Sequence, residues 1–205
     1  MTAGAAGTAD STPPQAGVWN IANVLTLTRI ALVPVFVWLL FLDGGGWRLA
    51  AFAVFAVASI TDKIDGDLAR RRNIVTDFGK IADPIADKAL TGAALISLSV
   101  LGELWWWVTG VILVREIGIT VLRFVVIRYG VIPASKGGKL KTMLQVIAIG
   151  LFILPAPFEL DPVRWAAMAA ALAVTVVTGL DYVVQAWRLR HQGRSRAGGG
   201  AGAGA

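Results

Sequence analysis

The chain has 205 residues, 56% of them hydrophobic and only 16% charged, and its mean hydropathy is +0.69. That balance excludes an ordinary water-soluble domain, and apolar stretches long enough to cross a hydrocarbon core recur between residues 22 and 187. The formal charge of +6 does not point to nucleic acid, because the basic residues lie mainly between and after the apolar segments, and the absence of cysteine excludes disulfides and thiolate metal sites.

Residues 1–17 are rich in Ala, Gly, Thr and Pro and lack the basic start and apolar centre of a cleaved signal, so they read as a disordered tail. Residues 18–190 then form one all-α polytopic domain. Its six membrane-spanning helices are expected at Ala22–Asp43, Trp47–Ile60, Ile85–Leu101, Trp105–Arg128, Leu140–Leu154 and Arg164–Trp187. The second span is short as an apolar run, since the acidic stretch from Asp62 follows directly, and its helix is expected to continue past the membrane surface. Gly44-Gly45-Gly46 and Pro155 to Pro162 mark turns. Residues 191–205, rich in Gly, Ala and Arg, read as a second disordered tail.

The nineteen Lys and Arg set the orientation. Apart from Arg29 they gather in Lys63–Lys88, Arg115–Lys141 and the segment after Trp187, leaving only Arg48 and Arg164 in the opposite turns. The positive-inside rule places both termini and the two basic loops in the cytoplasm, and Trp47, Trp105, Trp106, Trp107 and Trp165 at the outer interface.

The informative segment begins with Asp62, Asp65, Gly66, Ala69 and Arg70 and continues, after eight residues, with Gly79, Asp83 and Asp87. Asp62 and Asp65 are three apart and Asp83 and Asp87 four apart, so each pair projects from one helix face. Four carboxylates beside apolar spans repel one another and suffer desolvation unless a cation sits between them. Oxygen ligands without His or Cys favour Mg²⁺ or Mn²⁺, and two ions about 3.5 to 4 Å apart would suit displacement at phosphorus. The alternative is a solvated acidic loop neutralised by its Lys and Arg neighbours. Gly66 and Ala69 share the face of the first pair, which suits either a ligand approaching the backbone or close helix packing. Asp67 and Asp77 read as solvated surface carboxylates, and His191, the single histidine, as a solvated tail residue.

The pattern D-x2-D-G-x2-A-R-x8-G-x3-D-x3-D resembles the signature of the CDP-alcohol phosphatidyltransferase family, with agreement at Asp62, Asp65, Gly66, Ala69, Arg70, Gly79, Asp83 and Asp87. The resemblance implies a six-helix membrane enzyme, active at the cytoplasmic side of a bacterial inner membrane, that replaces CMP on a CDP-linked lipid by an alcohol. It further implies that Asp62, Asp65, Asp83 and Asp87 bind metal, that Asp87 is also the general base, and that Gly66, Ala69 and Arg70 hold the CDP portion with Asp62 beside them. A homodimer is implied by the family alone.

Two further blocks resemble the bacterial branch of that family whose acceptor is glycerol 3-phosphate. The first is Trp19–Arg29, in which Asn23, Thr26 and Arg29 lie close to one helix face, available to nucleotide or lipid phosphate or to a neighbouring helix. The second holds Arg115, Glu116 and Arg123, then Lys139, Lys141, Thr142 and Gln145. Arginines within a span are costly unless they meet an anion, so Arg115, Arg123, Lys139 and Lys141 are the candidate grip on the acceptor's phosphate, with Glu116 and Asp181 as counter-ions. Lys139 and Lys141 alone would equally be ordinary inside-facing charges. The expected reaction is therefore CDP-diacylglycerol plus glycerol 3-phosphate giving phosphatidylglycerophosphate and CMP. Inositol phosphate or phosphatidylglycerol as acceptor are alternatives, and a transporter is the alternative of another class.

Overall fold

A computed structural model describes residues 21–72, 77–126, 136–155 and 160–199. Among these residues every regular element is an α-helix: α1 Ile21–Leu40, α2 Gly45–Arg72, α3 Asp77–Val100, α4 Trp106–Val126, α5 Lys136–Ile153 and α6 Asp161–Gly199. Each contains or overlaps one apolar run expected from the sequence. α1 carries Pro34 internally, which removes one helical N–H, an omission apolar bundles tolerate.

The helices run alternately up and down, so the α1–α2, α3–α4 and α5–α6 turns share one end of the bundle and the acidic segment lies at the other. α1 packs on α2 and α3, while α6 packs on α5 and α4. Phe36 and Phe55 meet at 5.8 Å between ring centroids, inside a core that includes Leu40, Leu95, Leu98, Ile112, Ile149 and Ile153. Fully buried Ala51, Ala94, Ala148 and Ala171 let the backbones come close, the usual device where helices associate without water to expel.

α3 stops at Gly102, whose φ of +74° is open to glycine without strain. Glu103 N–H reaches the Leu98 carbonyl at 3.0 Å and Gly102 N–H reaches Ser99 at 3.1 Å, the two bonds of a Schellman cap. The same end is pinned by two arginines. Arg48 pairs with Glu103 and donates to the Ile153 and Phe152 carbonyls, at 3.1 and 3.0 Å. Arg164 donates to Asp161 at 3.0 Å and to the Leu154 carbonyl at 2.7 Å. These two cations therefore satisfy the carbonyls that α5 leaves open at its C-terminus, where positive charge is also favoured by the helix dipole. Trp105 stacks at 4.5 Å on Trp165, which also meets Phe152 edge-on at 5.2 Å.

Large apolar side chains face outward: Trp38, Ile60, Val114, Ile117, Val177, Leu180 and Trp187 are all at least 60% exposed. Asp161–Arg188 is long and apolar enough to cross a membrane by length and composition. α6 continues to Gly199, correcting the expectation that the chain is without structure from residue 191; with 39 residues it is roughly 58 Å long, beyond a bilayer's hydrocarbon thickness of about 30 Å. Residues 1–17, expected to form the other tail, lie outside the described residues.

Candidate active site

α2 is unbroken for 28 residues from Gly45 to Arg72, so the helix does run on beyond its apolar part and carries Asp62, Asp65, Gly66, Ala69 and Arg70. α3 starts at Asp77, eight residues before the apolar run, and carries Gly79, Asp83 and Asp87. The spacing within each aspartate pair is thus realised on helical backbone, one turn apart, on two helices that touch. The side chains of these eight motif residues, and those of Asn23, Arg123 and Lys139, lie outside what the structure describes. As a donor set, four carboxylates without His or Cys fit Mg²⁺ or Mn²⁺ by their chemistry.

Thr26 and Arg29, the other two α1 candidates, are buried, with 2% and 3% of their surface exposed. They sit three residues apart on the helix that packs against α2 and α3. That position keeps both polar groups off the outer surface of the bundle.

The interior is most polar where α3, α4, α5 and α6 converge. Glu116 of α4 is the hub. Its carboxylate pairs with Lys141 of α5, accepts from Arg115 Nη1 at 3.2 Å, and lies 3.5 Å from Lys88 Nζ of α3. Glu116 and Arg115 side chains are only 15% and 16% exposed, and Lys141 less still at 9%. Among the described residues three cations share this one carboxylate, Arg115 and Lys141 largely buried and Lys88 34% exposed, an arrangement that favours a further anion close by. Gln145, one turn beyond Lys141, is buried as well.

Glu116 is therefore a counter-ion for Arg115, as expected. Asp181 behaves differently: it is exposed and accepts from Gln185 at 2.8 Å, while its other expected partner, the Arg123 side chain, is outside the described residues. Of the four expected phosphate-binding cations, the structure brings Arg115 and Lys141 together. It adds Lys88, which the sequence offers only as one of many inside-facing charges, although its place directly after Asp87 is a usable signal. It also adds Thr175 and Thr178 of α6, which receive Arg115: Nε donates to the Thr175 carbonyl at 3.1 Å and Nη2 to the Thr178 hydroxyl at 2.9 Å. The signal for these is a pair of threonines three apart in the otherwise apolar stretch between Arg164 and Asp181.

Residues 19–177 match the model of a family described as CDP-alcohol phosphatidyltransferase. A "Probable phosphatidylglycerophosphate synthase" of Mycobacterium tuberculosis (strain ATCC 25618 / H37Rv) is 56% identical over 177 residues, covering 85% of each chain. A "CDP-diacylglycerol--glycerol-3-phosphate 3-phosphatidyltransferase" of Bacillus subtilis (strain 168) is 40% identical over 187 residues, 83% of this chain and 96% of its own. One of the same description from Rickettsia prowazekii (strain Madrid E) is 37% identical over 168 residues, 80% of this chain and 93% of its own. With most of its length matched by the family and by these relatives, the chain belongs to the CDP-alcohol phosphatidyltransferases.

Proposed function

We propose that the chain transfers the phosphatidyl group of CDP-diacylglycerol to sn-glycerol 3-phosphate, giving phosphatidylglycerophosphate and CMP. The observation that carries a phosphate-bearing acceptor is the Lys88–Glu116–Lys141–Arg115 cluster, which begins one residue after Asp87, and the preference for glycerol 3-phosphate over inositol phosphate rests on the resemblance around Asn23–Arg29 and Arg115–Gln145. Its surplus of positive charge complements a phosphate monoester and has nothing to offer glycerol, inositol or choline. The names of the relatives from B. subtilis and R. prowazekii carry the same pair of substrates.

Asp62, Asp65, Asp83 and Asp87 would hold Mg²⁺ or Mn²⁺, two ions per site. Bound there, the metal would neutralise the pyrophosphate and the departing phosphate of CMP. Asn23, Thr26, Arg29, Gly66, Ala69 and Arg70 bind the CDP-lipid, the glycine and alanine leaving backbone open to the nucleotide. Arg115 and Lys141, with Arg123 and Lys139, hold the acceptor's phosphate so that its free primary hydroxyl reaches the activated phosphorus. As the new O–P bond forms and the bond to the CMP oxygen breaks, Asp87 takes the hydroxyl proton.

The apolar outer surface and the basic segments between the apolar runs support a six-span bundle in a bacterial inner membrane, both termini and the active site cytoplasmic; a homodimer rests on the family resemblance alone. Purified protein given CDP-diacylglycerol should release CMP only when glycerol 3-phosphate and Mg²⁺ or Mn²⁺ are both supplied, and chelation by EDTA should stop it. CMP release independent of the acceptor, or uptake into sealed vesicles without CMP, would contradict the proposal.

A further inference from the structure

Arg115 crosses α6 through a gap made by a missing side chain. A Cβ on Gly179 would stand 3.1 Å from Arg115 Cγ, 3.3 Å from Nε and 3.8 Å from Cδ. The first two distances are tighter than side chains normally tolerate, and the neighbour is the middle of the arginine stem rather than a free tip. Alanine there would require the arginine stem to give by a few tenths of an ångström, enough to disturb the hydrogen bonds it holds.

The gap is lined with acceptors matched to the guanidinium. The Thr175 carbonyl takes Nε–H and the Thr178 hydroxyl takes an Nη2 proton. Thr178 can act as an acceptor because its own proton goes back to the Val174 carbonyl, at 2.7 Å. With Nη1 bonded to Glu116, three of the five N–H donors of this arginine are occupied by these contacts, and among the described residues one remains on each terminal nitrogen. An arginine in water loses rotamer freedom when it grips an anion, whereas this one is already fixed.

We infer that Thr178 and Gly179 are positioning residues: they lock the Arg115 guanidinium beside Glu116 and present its two remaining donors to the acceptor's phosphate. The inference rests on the acceptor site proposed above and extends it to α6, a helix that carries none of the residues expected to bind substrate. The lock acts before the acceptor arrives, so its loss weakens acceptor binding and leaves the CDP-lipid alone.

The test compares Thr178→Val, Thr178→Ser, Gly179→Ala and Arg115→Ala in purified protein, measuring KM for each substrate, kcat and thermal stability in detergent. Thr178→Val, which keeps the shape and removes the hydroxyl, should raise the KM for glycerol 3-phosphate about tenfold, with the KM for CDP-diacylglycerol within about twofold of wild type. Gly179→Ala should do the same, and Thr178→Ser should restore nearly normal behaviour. If Arg115→Ala raises the acceptor KM but neither α6 variant does, the positioning role is wrong and the acceptor site stands. If Arg115→Ala leaves the acceptor KM unchanged, the acceptor site itself is wrong. Equal changes for both substrates, or lost stability with unchanged KM values, would reduce Thr178 and Gly179 to packing and overturn the inference.

Discussion

Asp83→Asn should lower turnover about a thousandfold or more while the detergent-solubilised protein remains folded. The substitution keeps volume and hydrogen-bonding shape and removes one negative charge from a set of four carboxylates. If those carboxylates hold a divalent ion, the loss falls on an interaction worth several kcal/mol in the transition state, and each 1.4 kcal/mol or so is a factor of ten in rate. The fold should not suffer, because the core lies elsewhere: Phe36, Phe55, Leu95, Leu98 and Ile149 are all buried without help from the acidic segment. Rates measured at rising Mg²⁺ and Mn²⁺, with a thermal melt of the same preparation, decide the matter. Activity close to wild type at saturating metal would remove Asp83 from the ligand set.

Arg115→Ala should raise the KM for glycerol 3-phosphate roughly 10- to 100-fold and leave that for CDP-diacylglycerol nearly unchanged. A charged hydrogen-bonding partner of a phosphate contributes about 1.5 to 3 kcal/mol, and truncation removes it from one substrate only. Glu116 keeps Lys88 and Lys141 as partners in the variant, so its carboxylate is not stranded. That is why the change should appear in acceptor binding before it appears in folding. Steady-state kinetics with each substrate varied against a saturating second substrate provide the check, and equal effects on both would contradict an acceptor role.

Helix positions were legible because a long apolar run between turn signals has few other solutions, and the aspartate spacing told that the polar segment after Ile60 stayed helical. Helix ends were less so. α2 and α3 extend well past their apolar parts, to Arg72 and from Asp77, because their polar ends continue the same backbone hydrogen bonding. α6 likewise runs to Gly199 through a stretch whose glycines suggested a tail, but whose Ala and Arg residues are good helix formers.

The pairing of Glu116 with Arg115 could be read from the sequence, since a charge inside an apolar helix needs a partner nearby. What Arg115 meets on α6 could not. Its contacts with Thr175 and Thr178 join residues 60 and 63 positions apart, and no local pattern announces which helix will pass. Lys88 was hidden for another reason: beside a membrane surface a lysine satisfies the positive-inside bias without any specific partner, so its role emerges only from its distance to Glu116. Arg48 and Arg164 show the converse, two cations that break the topological bias and prove to cap the end of α5.

The most direct measurement is to give purified protein CDP-diacylglycerol and Mg²⁺ with an equimolar mixture of glycerol 3-phosphate, glycerol, inositol, inositol phosphate and phosphatidylglycerol, and to identify the lipids formed by mass. Phosphatidylglycerophosphate should dominate, with neutral alcohols left untouched. A product built on glycerol, inositol or phosphatidylglycerol, with phosphatidylglycerophosphate missing, would contradict a site that selects its acceptor by phosphate charge.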